Sequence, residues 1–301
     1  MVRLGAGPRA IAAILVLAGL ALTMNAAPPI VRAREMKAGY QVLAADFHVH
    51  SFPGDGVLAP WDLAVEARRR RLDAIVLTNH NAMYSWRVAQ WLPPLITSRP
   101  DGALLIPGEE LTSVGFHLAI AGISSPVSWR QTAAAAAAQV HAQGGVAIAA
   151  HPGKRTWRFI SDADLVALDG VEVEHPMVHL RAEKRQELVD FYERARAVHP
   201  AIAAIGSTDF HQIAPVGLGR TYLLVKAATE TAILDAIRAG RTVACDGLGR
   251  AAGPPELVEL VKDDCRDDAG SPPDGQTALD RVGTWLVWLG VVGLVVFGPD
   301  R

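Results

Sequence analysis

Cysteine is nearly absent from this 301-residue chain, which has only Cys245 and Cys265. Two thiols cannot build a disulfide scaffold, and they exclude a zinc site made of cysteines. Cys245 reads as a small core residue. A basic excess is also missing. Lys and Arg number 29 against 31 Asp and Glu, a net charge of −2. The chain therefore has no broad positive field for nucleic acid, and sequence-specific nucleic-acid binding is not expected. Charge is sparse overall at 20%, while 50% of residues are hydrophobic. That balance excludes an intrinsically disordered chain.

Charge is missing altogether from two terminal runs. Ala10 to Val31 carries none and follows Arg3 and Arg9. A basic start before an apolar run reads as a secretory signal or, at this length, a retained anchor. Val282 to Pro299 is also uncharged and holds Trp285 and Trp288, which suit a membrane interface. About 18 residues lie at the short edge of a span. The alternative for either run is a helix packed on a domain. These runs account for much of the mean hydropathy of +0.20. The expected organisation is a signal peptide or N-terminal anchor over 1–33 and a folded domain over 42–247. An acidic Pro/Gly linker over 248–280, with at most one short element around Leu257–Val261, and a C-terminal transmembrane helix candidate over 281–301 complete it. This arrangement predicts membrane association with an extracytoplasmic domain.

Between the ends, strand and helix signals alternate. Short apolar runs such as Ala74–Thr78 and Val146–Ala150 read as buried strands. Helices are expected over Pro60–Arg71, Met83–Leu92, Ser128–Gln143, Ser161–Leu168, Arg181–Val198 and Glu230–Ala239. Ser161 with Asp164 has the spacing of a capping box. About seven such units predict a parallel sheet closed into a barrel.

The histidines fall where these strands end. His48 and His50 share one strand face because they are two residues apart. His80 follows AIVLT, Glu109–Glu110 follow LLIPG, His117 opens HLAIAGI, and His151 follows VAIAA. Asp209 and His211 follow AIAAIGST. Imidazoles and carboxylates repeated at strand ends point to a multinuclear metal site, because burying so many unpaired polar groups is otherwise costly. His175 and His179 follow GVEVE, where Glu172 and Glu174 alternate, and one of these acids can reach the barrel mouth. His141 and His199 sit near helix ends and read as structural.

In their order, the motifs DFHVHS with Asp55–Gly56, TNHN, PGEE, His151–Pro152, STDFH and GRTVACDG resemble the polymerase and histidinol phosphatase (PHP) family. The likeness is greatest to its CehA/McbA-type metallohydrolases and covers about Val42–Gly247. It implies a distorted seven-stranded β/α barrel, flanked here by hydrophobic terminal helices, holding two or three divalent ions. It also implies that His48, His50, Glu110 and Asp209 share one ion. Glu110, His117 and His151 would share a second, and Asp55, His80 and His211 would hold a third. Glu110 matches the family's acid, two residues after the motif glycine, and Glu109 would support it from behind. The chain departs from the pattern at Asn79, where the family usually has Asp, and Asp55 stands where some members use His. Both departures bear on the third ion.

Such ions make a nucleophile from water at neutral pH and stabilise charge on oxygen. Zinc, manganese and iron all suit these donors. No serine or cysteine nucleophile motif is evident. Asp209 is the candidate base and His211 the candidate aid to the leaving group. Lys154 and Arg155, with Arg158 nearby, follow the His151 loop, and Arg220 lies in GLGRT. Lys154, Arg155 and Arg220 are candidates for gripping a phosphate, or else solubilising charge. Trp157 and Phe159 read as rim cover. The expected activity is hydrolysis of a small phosphoester. The rivals are an amide, carbamate or ester hydrolase on the same ions, and a non-catalytic, membrane-tethered metal-binding domain.

Overall fold

The apolar runs become buried strands in the computed structural model, which describes residues 6–25, 35–90, 103–176, 181–212, 214–268 and 278–297. The strands are β1 (Met36–Lys37), β2 (Tyr40–Val49), β3 (Ala74–Leu77), β4 (Leu104–Thr112), β5 (His117–Ala121) and β6 (Val146–Ala149). After them come β7 (Gly170–Glu174), β8 (Ala203–Gly206), β9 (Arg220–Val225), β10 (Thr242–Cys245) and β11 (Ala251–Ala252). The helices, in chain order, are α1 (Ala6–Asn25), α2 (Pro60–Arg69), α3 (Tyr84–Ala89), α4 (Ala133–Ala142) and α5 (Asp162–Ala167). They continue with α6 (Ala182–Val198), α7 (Glu230–Arg238), α8 (Pro255–Asp268) and α9 (Ala278–Val296).

Ten strands hydrogen-bond in the order β11-β10-β9-β2-β3-β4-β5-β6-β7-β8, with β1 added to β2. The sheet nearly closes on itself. The Thr221 hydroxyl accepts from Gly206 N at 3.0 Å and donates to Gly206 O at 2.8 Å, joining β9 to β8. Gly206 is required there, since a Cβ would stand 2.4 Å from Arg220 O.

The barrel differs from the expected one in strand number and direction. Ten strands replace seven, and the sheet is mixed. β5 runs antiparallel to both β4 and β6, and β9 runs antiparallel to β2 and β10. The few residues between Thr112 and His117 allow a hairpin but no crossover helix, which a parallel neighbour requires.

Two apolar clusters pack this sheet. One joins Leu111, Leu118, Ile120, Val171 and Val173 to side chains of α4, α5 and α6, such as Val140, Leu165 and Phe191. The other joins Leu43, Val76, Ile106, Ile148, Ile205 and Leu223 to Ile233, Leu234 and Ile237 of α7. Helix starts follow their caps. The Thr132 hydroxyl accepts from Ala135 N at 3.2 Å, so α4 begins at Ala133 rather than at Ser128. Ser161 and Asp164 form the anticipated capping box. α3 ends at Ala89, and Leu92 lies outside the described residues.

The expected linker contains a helix. Pro255–Asp268 forms α8, and Cys265 on it is bonded to Cys245 of β10. The two cysteines are therefore not free core residues. Their Cα atoms, 5.8 Å apart, suit a bridge.

The chain divides into two compact units, Ile30–Pro273 and the two ends Met1–Pro29 with Asp274–Arg301. Within the second unit, α1 and α9 pack through small residues. A Cβ on Gly19 would stand 2.5 Å from Gly283 O, and one on Gly290 would stand 2.5 Å from Ala12 O. Among the described residues no helix is long and apolar enough to cross a membrane. The expected terminal spans are thus not supported. Arg9 and Arg281 lie inside these helices, leaving uncharged stretches of roughly 15 residues, about 23 Å at ~1.5 Å per residue, against a ~30 Å bilayer core.

Candidate metal centre

One end of the barrel collects the polar residues. β2 brings His48, with His50 directly after it. His80 follows β3 and forms an isolated bridge with Glu110 of β4. His117 opens β5, and because β5 runs antiparallel its first residue reaches the same end as its neighbours' last residues. His151 follows β6, His175 follows β7, and Asp209 and His211 follow β8. Asn81, His151 and Asp209 have φ of 47°, 31° and 50°. Such left-handed backbone at non-glycine residues costs about 1–3 kcal/mol each and concentrates at functional sites.

Three donor groups form there, each with its ligand atoms within 4.8 Å of one another. They are His48, His50, Glu110 and Asp209; Glu110, His117 and His151; and His50, Asp55, His80 and His211. The structure thus brings together all nine residues selected from the sequence as ligands. Glu110 belongs to two groups and His50 to two. Glu110 Oε1 lies 2.7 Å from His117 Nδ1 and 3.2 Å from His151 Nε2. Its Oε2 lies 3.4 Å from His48 Nε2 and 3.3 Å from His50 Nε2. Asp209 Oδ1 lies 3.2 and 3.1 Å from the same two nitrogens. Asp55 Oδ2 lies 3.2 Å from His80 Nε2 and 3.1 Å from His211 Nε2.

The donor set fits cations. His48 Nδ1 is 2.9 Å from Glu172 Oε1, and His50 Nδ1 is 3.0 Å from Asp55 Oδ1. A proton on each Nδ1 leaves both Nε2 atoms as lone-pair donors, and these face each other at 3.1 Å. Glu110 Oε2 and Asp209 Oδ1 are buried and accept no hydrogen bond of good geometry. Lone pairs and carboxylate oxygens converging on one point repel unless a positive charge joins them.

The electrostatics of these side chains point the same way. Burial raises the pKa of Glu110 and of Asp209, but the facing histidines outweigh it. Glu110 is held well below the usual carboxylate range, above all by His48, and Asp209 is lowered by His48, His175 and His50. Burial lowers His48, yet Asp209, Glu110 and Glu172 lift it well above its usual value. His151 is raised in the same manner by Glu110 and Glu172.

Glu172 is the acid of β7 that reaches the site. Besides His48, it accepts from His151 N at 2.6 Å and from the Ser207 hydroxyl. Glu174 is instead gripped by Arg185 of α6. His175, buried at 2% exposure, stands 3.4 Å from Asp209 Oδ2, next to the cluster. Alternation along β7 was the signal for Glu172. Val171 and Val173 belong to the helix-side cluster, so Glu172 points to the opposite face. His179 lies outside the described residues.

Other selected residues lie elsewhere. Arg220 is buried: Nε donates to Gly217 O at 2.8 Å, and Nη1 is 3.1 Å from the buried carboxylate of Asp268. Its expected role in gripping phosphate is therefore replaced by one in anchoring α8. Lys154 and Arg155 are exposed on the loop after His151. His141 pairs with Asp169 at 2.8 Å, and His199 caps the end of α6. Glu109 points away from Glu110 and accepts from Val127 N at 2.6 Å.

Asn79 has its own use. Its Oδ1 accepts from Ser85 Oγ at 2.7 Å and Ser51 Oγ at 3.1 Å. Its Nδ2 donates to Ser51 O at 2.8 Å and Tyr84 Oη at 3.1 Å. The donor half of this pattern requires the amide, which a carboxylate lacks. Asn79 therefore holds the loop that carries Asp55 rather than a ligand side chain.

No protein-family model matches the chain, and no curated protein matches it in sequence. Solved structures do resemble it. One is a two-domain protein from Bacteroides vulgatus containing a predicted PHP-like metal-dependent phosphoesterase. It is 20% identical, with 79% of this chain and 74% of that chain covered at a TM-score of 0.61. PsfC from Pseudomonas syringae is 19% identical over 75% of this chain and 98% of its own, at a TM-score of 0.48. With a nearly closed mixed barrel and its likeness to the Bacteroides structure, the domain has a PHP-type fold.

Proposed function

We propose that the chain is a PHP-family metal-dependent hydrolase that cleaves small phosphoesters with an activated water. The observation that carries this reading is the sharing of Glu110 between two donor groups, which suits neighbouring divalent ions. Bound ions of this kind supply an activated water at neutral pH and stabilise charge on the attacking and leaving oxygens. The PHP-like phosphoesterase in the matched Bacteroides protein supports the same choice.

The chain's own residues divide the remaining work. Asp209 directs Oδ1 at His48 and His50, and Oδ2 lies 3.4 Å from His175. A carboxylate so held can take the proton of an attacking water. Where two ions rather than three are held, His211 is free of metal at the edge beside Asp55, and its imidazole can then hand a proton to a leaving oxygen. Lys154 and Arg155, exposed on the loop after His151, can draw an anion toward the mouth.

We also infer that the domain works in an oxidising compartment outside the cytoplasm. The Cys245–Cys265 bond supports this, because structural disulfides persist where thiols are not kept reduced.

A panel of phosphomonoesters, phosphodiesters, amides and carbamates tests the reaction class on chain loaded with zinc, manganese or iron. Turnover of phosphoesters well above that of the other classes is expected. Turnover of an aryl carbamate alone would move the assignment to the amide and carbamate class, and binding of ions with no turnover would make the site non-catalytic.

A further inference from the structure

Glu172 meets two ligands that belong to different donor groups. His48 belongs with His50, Glu110 and Asp209, and His151 belongs with Glu110 and His117. One carboxylate oxygen of Glu172 takes the His48 Nδ1 contact at 2.9 Å together with the Ser207 hydroxyl. The other takes the backbone N–H of His151 at 2.6 Å. Glu172 is fully buried, as is His48. The carboxylate has no solvent to fall back on, and both of its oxygens are committed to groups that carry or position ligands.

Two physical consequences follow. A hydrogen bond from Nδ1 fixes the His48 ring so that Nε2 alone faces the cluster. The bond from His151 N holds a residue whose φ of 31° is costly for any side chain except glycine. Without that bond the peptide can relax, and His151 Nε2 then leaves its place 3.2 Å from Glu110 Oε1.

We propose that Glu172 is a positioning residue that sets the affinity of two adjacent metal sites at once, by orienting the His48 imidazole and pinning the His151 backbone. The inference rests on the metal-dependent reading above and adds a residue outside the nine-ligand set.

The test is a direct Zn²⁺ titration of the metal-stripped full chain, comparing Glu172→Gln with the unaltered protein. Thermal melts of both stripped proteins run in parallel. Glutamine keeps the size and one acceptor oxygen, but it must aim an NH₂ at either the His48 Nδ1–H or the His151 N–H. The expected result is a 10- to 100-fold weaker Zn²⁺ affinity, whatever the shift in the melting temperature of the stripped protein. A merely structural role would move the melt and leave the affinity. If Glu172→Gln does not fold, Glu172→Asp is measured against the same criterion, since the shorter side chain cannot reach both partners. An unaltered chain that binds zinc while the variant binds it equally well overturns the proposal and leaves the functional reading intact. An unaltered chain that binds no ion overturns both.

Discussion

The His48 imidazole and the Glu172 carboxylate form a sealed pair: Nδ1 and Oε1 are 2.9 Å apart, and neither side chain reaches solvent. This fixes which nitrogen of His48 faces the cluster. The candidate donor groups are thus oriented from behind by a strand that supplies none of the nine donors itself.

Shared and unshared ligands should differ in effect. Glu110 belongs to two donor groups, whereas Asp55 belongs to one. Glu110→Gln is expected to lose more than one ion per chain and nearly all turnover. Asp55→Ala should lose at most one ion. Elemental analysis of the purified variants checks this, and equal losses in both would contradict the sharing.

His151 tests the second group by itself. His151→Ala removes one donor beside Glu110 and His117 and is expected to cost at least one ion and nearly all turnover. Unchanged metal content would contradict its place as a ligand.

Arg220 should matter for stability rather than for substrate. Its guanidinium pairs with Asp268 at 3.1 Å in a buried setting, with Arg71 farther away at 3.6 Å. Arg220→Ala removes one partner of a buried carboxylate that keeps Tyr222 Oη and Arg71, and should cost about 1.5–3 kcal/mol. Urea unfolding measures the loss. An intact fold with a raised KM for phosphoester would restore the substrate role.

The disulfide ties α8 to β10 across a sequence separation of 20 residues. Replacing Cys245 with Ala should destabilise the domain by ~3 kcal/mol, the value expected for a loop of this length. Comparing denaturant midpoints checks the size of the effect, and non-reducing mass analysis checks the bond.

Glu109 gives a pH signature. Burial pushes its carboxyl up to about 7, against a lowering bond from Val127 N. Below its unfolded value near 4.5 the acid is neutral in both states. Between there and pH 7 the unfolded chain ionises first, so folding stability declines as pH rises and levels off above 7. Glu109→Gln should remove that slope in metal-stripped protein. Melting temperatures from pH 4.5 to 8 decide it, and parallel curves for both proteins would count against a buried neutral acid.

Much of the site could be read from strand-end chemistry. Runs such as VAIA before His151 fix a strand and its exit, so the candidate donors could be placed at one end of the barrel without a structure. Strand direction was less legible. β5 resembles any buried strand, and only the short Thr112–His117 connection shows that it must turn back. The linker reading allowed only a short element around Leu257–Val261, because Pro254–Pro255 and the aspartates suggested solvent exposure. In the fold Pro255 starts a helix, while Asp268 and Cys265 face inward to Arg220 and Cys245. Arg220 was misplaced for a related reason, since its partner lies 48 residues onward and no local pattern joins them. Glu172 was visible only as one of two alternating acids until His48 and His151 were seen to meet on it.

The central claim is that this barrel performs metal-dependent phosphoester hydrolysis. The most direct measurement is turnover of a phosphomonoester by chain stripped with chelator, then resupplied with zinc, manganese or iron. The account predicts turnover falling to background on stripping and returning as two or three ions rebind per chain. Full turnover in protein holding less than a tenth of an ion per chain would contradict it.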